Sequence, residues 1–150
     1  MKSVSQFFIV SIFLSVLFCF TQCKKDKSPV NISLYDKPLS IIQSNIQGKW
    51  KLEYEKGGIC GSCIFYVNNY LWEFRGSDNV RQTYKDTLIV DTVIKWVHEK
   101  NIFNDLTYTM NFSDKRGYPY VYFVNSIYND TLVISDGGYD PISYYLTKLN

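Results

Sequence analysis

Along Gly48-Lys49-Trp50-Lys51-Leu52-Glu53-Tyr54-Glu55-Lys56, three large apolar residues alternate with charged ones. A period of two places Trp50, Leu52 and Tyr54 on one face of an extended strand and the charges on the other. A helix would spread both sets around its circumference, so the pattern predicts a half-buried antiparallel strand with a wet outer face. The same two-faced pattern recurs down the chain. Tyr70, Trp72 and Phe74 alternate with Leu71, Glu73 and Arg75, and Val80, Gln82 and Tyr84 with Asn79, Arg81 and Thr83. A longer run, Thr87 to Val97, sets Leu88, Val90, Ile94 and Trp96 on one face with Thr92. Leu106, Tyr108, Met110 and Phe112 give the cleanest alternation, and Tyr118 to Tyr128 is apolar on both faces. Thr131 to Ser135 and Ile142 to Leu149 complete the series.

Short turn signals separate these runs. Arg75 to Asn79, Lys85-Asp86, Asn101 to Asp105, Asp114 to Gly117 and Asp136 to Pro141 are rich in turn formers. Asn129-Asp130 has the form of a two-residue hairpin turn. About eight strands spaced this way, with no long helical pattern between them, exclude parallel β-α-β units as the main plan. The expected fold is therefore all-β: an antiparallel up-and-down barrel of about eight strands, because closure removes the exposed edges of a meander. An open β-sandwich is the alternative. Ahead of the first strand, Leu39, Ile42 and Ile46 fall at helical spacing between Pro38 and Gly48, which predicts a short N-terminal helix.

The chain begins differently. Lys2 is the single charge before an apolar run from Phe7 to Phe20, too short to span a bilayer as a helix of about 20 residues. The run ends at Thr21-Gln22-Cys23-Lys24-Lys25. This resembles a bacterial lipoprotein signal peptide, although Gln22 is larger than the small residue that such signals carry before the cysteine. The resemblance implies removal of residues 1–22, lipid attachment at Cys23 and a place in the bacterial cell envelope, with the outer membrane as the expected site. Residues 23–37, bearing Lys, Ser, Asn and Pro without a sustained period, then read as a flexible tether, and 38–150 as the folded domain.

Composition narrows the partners. A formal net charge of +2 gives no reason to invoke nucleic acid. Thirteen Tyr and ten Phe, against four Pro, suit pleated half-buried surfaces.

A short helix leading into Gly48-x-Trp50 on the first strand is similar to the opening of a lipocalin. With the lipoprotein start, the Trp72-Glu73-Phe74 strand ending in Gly76 and the closing Leu146-Thr147-Lys148-Leu149, the chain resembles the lipocalin-like domains of bacterial surface lipoproteins. That family implies an eight-stranded barrel in which the tryptophan plugs the closed end. A Thr-Asp-Tyr signature and a long helix before the last strand are missing from the pattern.

Chemistry has few places to reside. Cys60-Gly61-Ser62-Cys63 follows a glycine pair and precedes a strand, so a helix N-terminus to stabilise a thiolate is not expected there. A zinc site would need two further ligands, and His98 is the chain's one histidine. A structural disulfide between Cys60 and Cys63 is the favoured reading; redox activity and metal binding are alternatives. His98 lacks a nucleophile partner, and no Gly-x-Ser-x-Gly elbow or phosphate-cradling loop occurs. No catalysis, cofactor or metal is expected. The expected function is non-catalytic binding of a small, partly apolar ligand by inner rings, with Tyr54, Tyr70, Trp72, Tyr84, Trp96 and Tyr108 as candidate contacts. The alternative is a filled barrel that docks an envelope protein partner through its outer strands or the Cys60–Cys63 loop.

Overall fold

The structure, a computed structural model, describes residues 29–101 and 104–149; the expected signal segment 1–22 and the expected lipid attachment at Cys23 lie outside them. The described residues form β1 (Asn31–Ser33), α1 (Leu39–Ile46), β2 (Gly48–Gly57), β3 (Ile64–Tyr66), β4 (Tyr70–Arg75), β5 (Asn79–Tyr84) and β6 (Thr87–Val93). After these come β7 (Lys95–Lys100), β8 (Leu106–Ser113), β9 (Pro119–Tyr128), β10 (Thr131–Asp136) and β11 (Ile142–Leu149). One antiparallel sheet contains all these strands, in the order β6-β5-β4-β2-β11-β10-β9-β8-β7, with β1 on β9 and β3 on β2. A single sheet sets aside the open sandwich.

The two ends of that order, β6 and β7, are successive parts of one run interrupted at Ile94. The sheet must curl until its edges meet there, giving a half-barrel. Taken as one bent strand, 87–100 restores the meander that the alternation predicted. The excess over eight strands comes from this bend and from the short β1 and β3. Two hairpins rest on the expected chemistry: Lys85-Asp86 and Asn129-Asp130 hold positive φ at both positions, as the twist-matched two-residue turn requires.

Helix α1 covers the end of the barrel near Ile94. Ile42 and Ile46 are buried beneath it, and the Trp50 indole N–H donates to the Ile46 carbonyl at 2.7 Å. Gln43 Nε2 donates to Asp78 Oδ1 and to the Ser77 carbonyl, both at 3.0 Å, tying the helix to the β4–β5 turn. Leu52, Trp72, Met110, Leu132, Ile134 and Leu146 continue the core from Trp50 with almost no exposure.

Three register shifts interrupt the pairing. Tyr145 faces Tyr54 while Leu146 faces Leu52, so Glu53 is an extra residue in β2. Asn125 is extra in β9 and Ile89 in β6. Each bulge opposes two residues to one and inverts the inward–outward order beyond it. In β6 this brings Ile89, not the expected Leu88, against the core.

The expected tether requires correction. β8 pairs with β9 only as far as Phe123, leaving the last residues of β9 with an open edge on that side. β1 fills it, pairing Asn31 with Tyr128 and Ser33 with Ser126. The Asn125 carbonyl accepts from the N–H groups of Leu34 and Tyr35, and Thr107 Oγ1 donates to the Tyr35 carbonyl at 2.6 Å. Leu34 is fully buried. Residues from Asn31 onward therefore belong to the folded domain. Leu34→Ala should lower the unfolding free energy by about 2–5 kcal/mol, as buried Leu truncations do. Urea unfolding measures this, and an unchanged midpoint would return the segment to the role of tether.

Candidate functional site

The strands end away from α1 in a ring of tyrosines. Beyond the Glu53 bulge, Glu55 pairs with Tyr144 and Tyr54 with Tyr145. Tyr144 packs against Trp72 at 6.4 Å and Tyr122 at 5.4 Å between ring centroids, so its side of β11 is the interior. Glu55 therefore turns inward and Tyr54 outward. Tyr54 stacks on Tyr145 at 4.4 Å and meets Tyr66 edge-on on the outer wall. The expectation that Tyr54 lines the interior and Glu55 the wet face is reversed, because alternation read from Trp50 carries no sign of an inserted residue.

Trp72 is the buried centre of this end of the barrel. Its ring meets Tyr70, Phe74, Phe112, Tyr122 and Tyr144 at centroid distances of 5.3–6.4 Å, which fills the barrel from this level down. Gln82, the antiparallel partner of Trp72, is buried beside it. The Tyr70 hydroxyl donates to Gln82 Oε1 at 2.9 Å. The other two polar ends have no acceptor: Trp72 Nε1 and Gln82 Nε2 are buried donors without a hydrogen bond. Such a group costs about 1–3 kcal/mol when left unpaired.

Charge and burial shape the rest. Burial, followed by the nearby charges of Tyr120 and Glu55, pushes the Tyr70 hydroxyl up to about 12. Burial first, then neighbouring tyrosines, also raises Tyr122 far above the usual range. For Tyr144 burial leads and the charges of Asp136 and Glu55 follow, while a hydrogen bond from Tyr122 opposes them. Burial and then the charge of Asp136 raise the Glu55 carboxyl. Glu55, Tyr70, Tyr120, Tyr122 and Tyr144 therefore lie at the same end of the sheet, with Asp136 beside them in the β10–β11 turn. Asp136 Oδ1 also accepts from the Gly138 and Ile142 N–H groups, which fixes it in the β10–β11 turn.

The expected ligand residues do not converge. Tyr70 and Trp72 lie at this end, and Tyr84 sits at its rim, edge-on to Tyr70 at 5.9 Å. Trp96 is at the opposite end, where its indole N–H donates to the Ser77 carbonyl at 3.3 Å beside α1. Tyr108 stacks on His98 at 4.3 Å and takes no part in the ring. Gln82, Tyr120, Tyr122, Tyr144, Glu55 and Asp136 were missed. The two-sided apolarity of Tyr118 to Tyr128 was the one available signal for the β9 pair.

Two other features lie outside the barrel. A concavity of about 320 Å³ on the outer wall is lined by Tyr35, Asp105, Phe123, Asn125, Ser135 and Asp136, with the glycines 137 and 138 beside them. Its Asn125 amide is already bonded to the Ser135 hydroxyl at 3.0 Å. The Cys60 and Cys63 sulfurs stand at bonding distance, in a loop reached through Gly57. Gly57 is required there, since a Cβ would come within 2.4 Å of the Pro141 carbonyl oxygen. Around this loop Ile59 is 97% exposed, Tyr66 79% and Phe65 59%. Among the described residues, no three His, Cys, Asp or Glu side chains come together in a way that could hold a metal, and no helix is long and apolar enough to cross a membrane.

Comparison with protein families, with curated proteins and with solved structures finds no match to this chain.

The Tyr70 shift predicts an alkaline signature. The folded chain holds this proton to about 12, whereas the ordinary value is 10.0. Its stabilising contribution is complete below the ordinary value and is lost as pH rises through the folded one. Stability measured by urea should fall across that window, and Tyr70→Phe should shallow the fall. An identical decline in the variant would remove Tyr70 as a source.

Proposed function

We propose that this chain is a lipid-anchored protein of the bacterial cell envelope, of lipocalin-like build, that binds a small ligand at the tyrosine ring without catalysis. The observation that carries this reading is the pair of unpaired buried donors, Trp72 Nε1 and Gln82 Nε2, among the rings of Tyr70, Tyr122 and Tyr144. Buried polar groups are almost always satisfied, and convergent unsatisfied ones in an aromatic recess are what a ligand site presents. The filled lower barrel limits the occupant to something small, held above Trp72 rather than deep in a calyx.

A second reading has its own support. Ile59, Ile64, Phe65 and Tyr66 form an exposed apolar group around the Cys60–Cys63 loop. Patches of this kind mark contact surfaces, so the barrel would act as a scaffold that docks an envelope protein there. Phe65→Ser with Tyr66→Ser separates the two readings: it should abolish cross-linking to a partner in whole cells and leave ligand occupancy intact.

Native mass spectrometry of the protein purified from its own host should show a co-purifying small molecule that is lost in Gln82→Leu. A bare protein mass in the wild type would remove the ligand reading. Cys23→Ser should move the protein from the membrane fraction to the soluble one and abolish incorporation of labelled fatty acid; continued labelling would place the lipid elsewhere.

A further inference from the structure

We propose that the open edge of β3 pairs with β3 of a second copy of this chain, antiparallel and two-fold about Phe65. This names the partner for the docking reading of that patch and rests on it. Three observations combine.

The first is an edge with its main chain open. β3 pairs with β2 alone, because β5, which covers the same side of β4, ends at Tyr84 and turns back through Lys85-Asp86. The Lys85 N–H donates to the Asn69 carbonyl, which marks where that cover stops. Toward β2, the Gly57 N–H donates to the Cys63 carbonyl and the Val67 N–H to the Glu53 carbonyl. Alternation along an antiparallel ladder then turns the main-chain groups of Phe65 toward β2 and those of Ile64 and Tyr66 toward the open side. β11 runs from Ile142 beside Gly57 to Lys148 beside Trp50, and the Lys148 N–H donates to the Asp130 carbonyl. The Val30 N–H also bonds to Asp130, so the described chain begins at the end of the barrel opposite β3 and leaves this edge clear.

The second is that this edge complements itself. In a two-fold antiparallel pair, Ile64 of each copy exchanges both main-chain bonds with Tyr66 of the other, and Phe65 lies opposite its own counterpart. Every open donor and acceptor of β3 is then used. Exposed edges are ordinarily protected from such pairing by charge or proline, and Ile64-Phe65-Tyr66 carries neither. No Asp, Glu, Lys or Arg occurs from Gly57 to Trp72, so a symmetry that sets each residue near its twin brings no like charges together.

The third is the outer face. Tyr145, Tyr54 and Tyr66 form a row across β11, β2 and β3, with ring centroids 4.4 and 6.1 Å apart, and the row stops at the open edge. Pairing sets Ile64 of the second copy against the exposed Tyr66 and continues the row, while the two exposed Phe65 rings meet on the other face. A lipid surface would cover these side chains but leave the main-chain groups of Ile64 and Tyr66 unpaired in an apolar medium. A second strand satisfies both.

The test is photo-cross-linking of the full chain in cells of its own host, with p-benzoylphenylalanine in place of Phe65. A product of twice the chain mass is expected, its joined peptides both containing residues 64–66. Ile64→Lys with Tyr66→Lys sets like charges directly opposite across the two-fold and should lower that product about tenfold. Ile64→Lys with Tyr66→Glu sets opposite charges there and should restore it. These side chains are exposed, so the urea midpoint of both variants should stay at the wild-type value. Equal loss in the two charge variants would overturn the self-pairing. A product joined to an unlike protein would also overturn it and leave the docking reading standing. Labelling of lipid alone, or of nothing, would remove both.

Discussion

One inserted residue decides what this barrel can do. Glu53 has no counterpart in β11, and from that point β2 presents its odd positions to the interior instead of its even ones. Without the bulge Tyr54 would add another ring to the core and Glu55 would be a surface charge beside Lys56. With it, a carboxylate enters an enclosure of tyrosine hydroxyls, and the displaced Tyr54 joins Tyr145 and Tyr66 on the outer wall. Bulges in β6 and β9 act alike: one exchanges Leu88 for Ile89 at the core, and the other turns the Asn125 carbonyl toward the N-terminal segment.

The barrel is built from one closed end upward. Trp50 is held by the Ile46 carbonyl, and α1 is held by the β4–β5 turn through Gln43. Trp96 bonds to that same turn, and Ile94, where the long strand bends, donates its N–H to Asp78. Helix, first strand, turn and bend therefore share one set of contacts, and these contacts bring the two sheet edges together. Rings stacked on Trp50 and Trp72 then fill the interior. What remains open lies at the far end, where strand ends and turns are free to carry polar groups.

Much of this was legible in the alternation. The all-β class, the helix at Leu39–Ile46, the Asn129-Asp130 hairpin and the inward course of Trp50, Leu52, Trp72, Phe74, Met110 and Phe112 follow from period and turn chemistry alone. The site was not legible, for a physical reason. A bulge changes which face a residue takes without changing composition or spacing, so Glu55 carries the same sequence pattern as Glu53. β1 was hidden because a three-residue strand has no period to read; the open edge of β9 that recruits it exists only once β8 has diverged. Tyr108 and Trp96 obeyed the alternation and still missed the site, since facing inward does not say at what height along the barrel a residue sits.

The inner face opposes two demands at Gln82. Val80 and Tyr84, its neighbours on that face, show that an apolar residue fits the pattern of β5. An amide there gains one hydrogen bond from Tyr70, worth about 0.5–1.5 kcal/mol net, and leaves its Nε2 unpaired at about 1–3 kcal/mol. The Trp72 indole adds a second unpaired donor against it. For a domain whose whole stability is of order 5–15 kcal/mol, this is a substantial burden to carry inside the core. Leu at this position would remove the unpaired amide but would leave the Tyr70 hydroxyl without its acceptor and the Trp72 indole still unpaired. An amide kept in the core at this cost is what the proposed ligand would explain, by completing its hydrogen bonds.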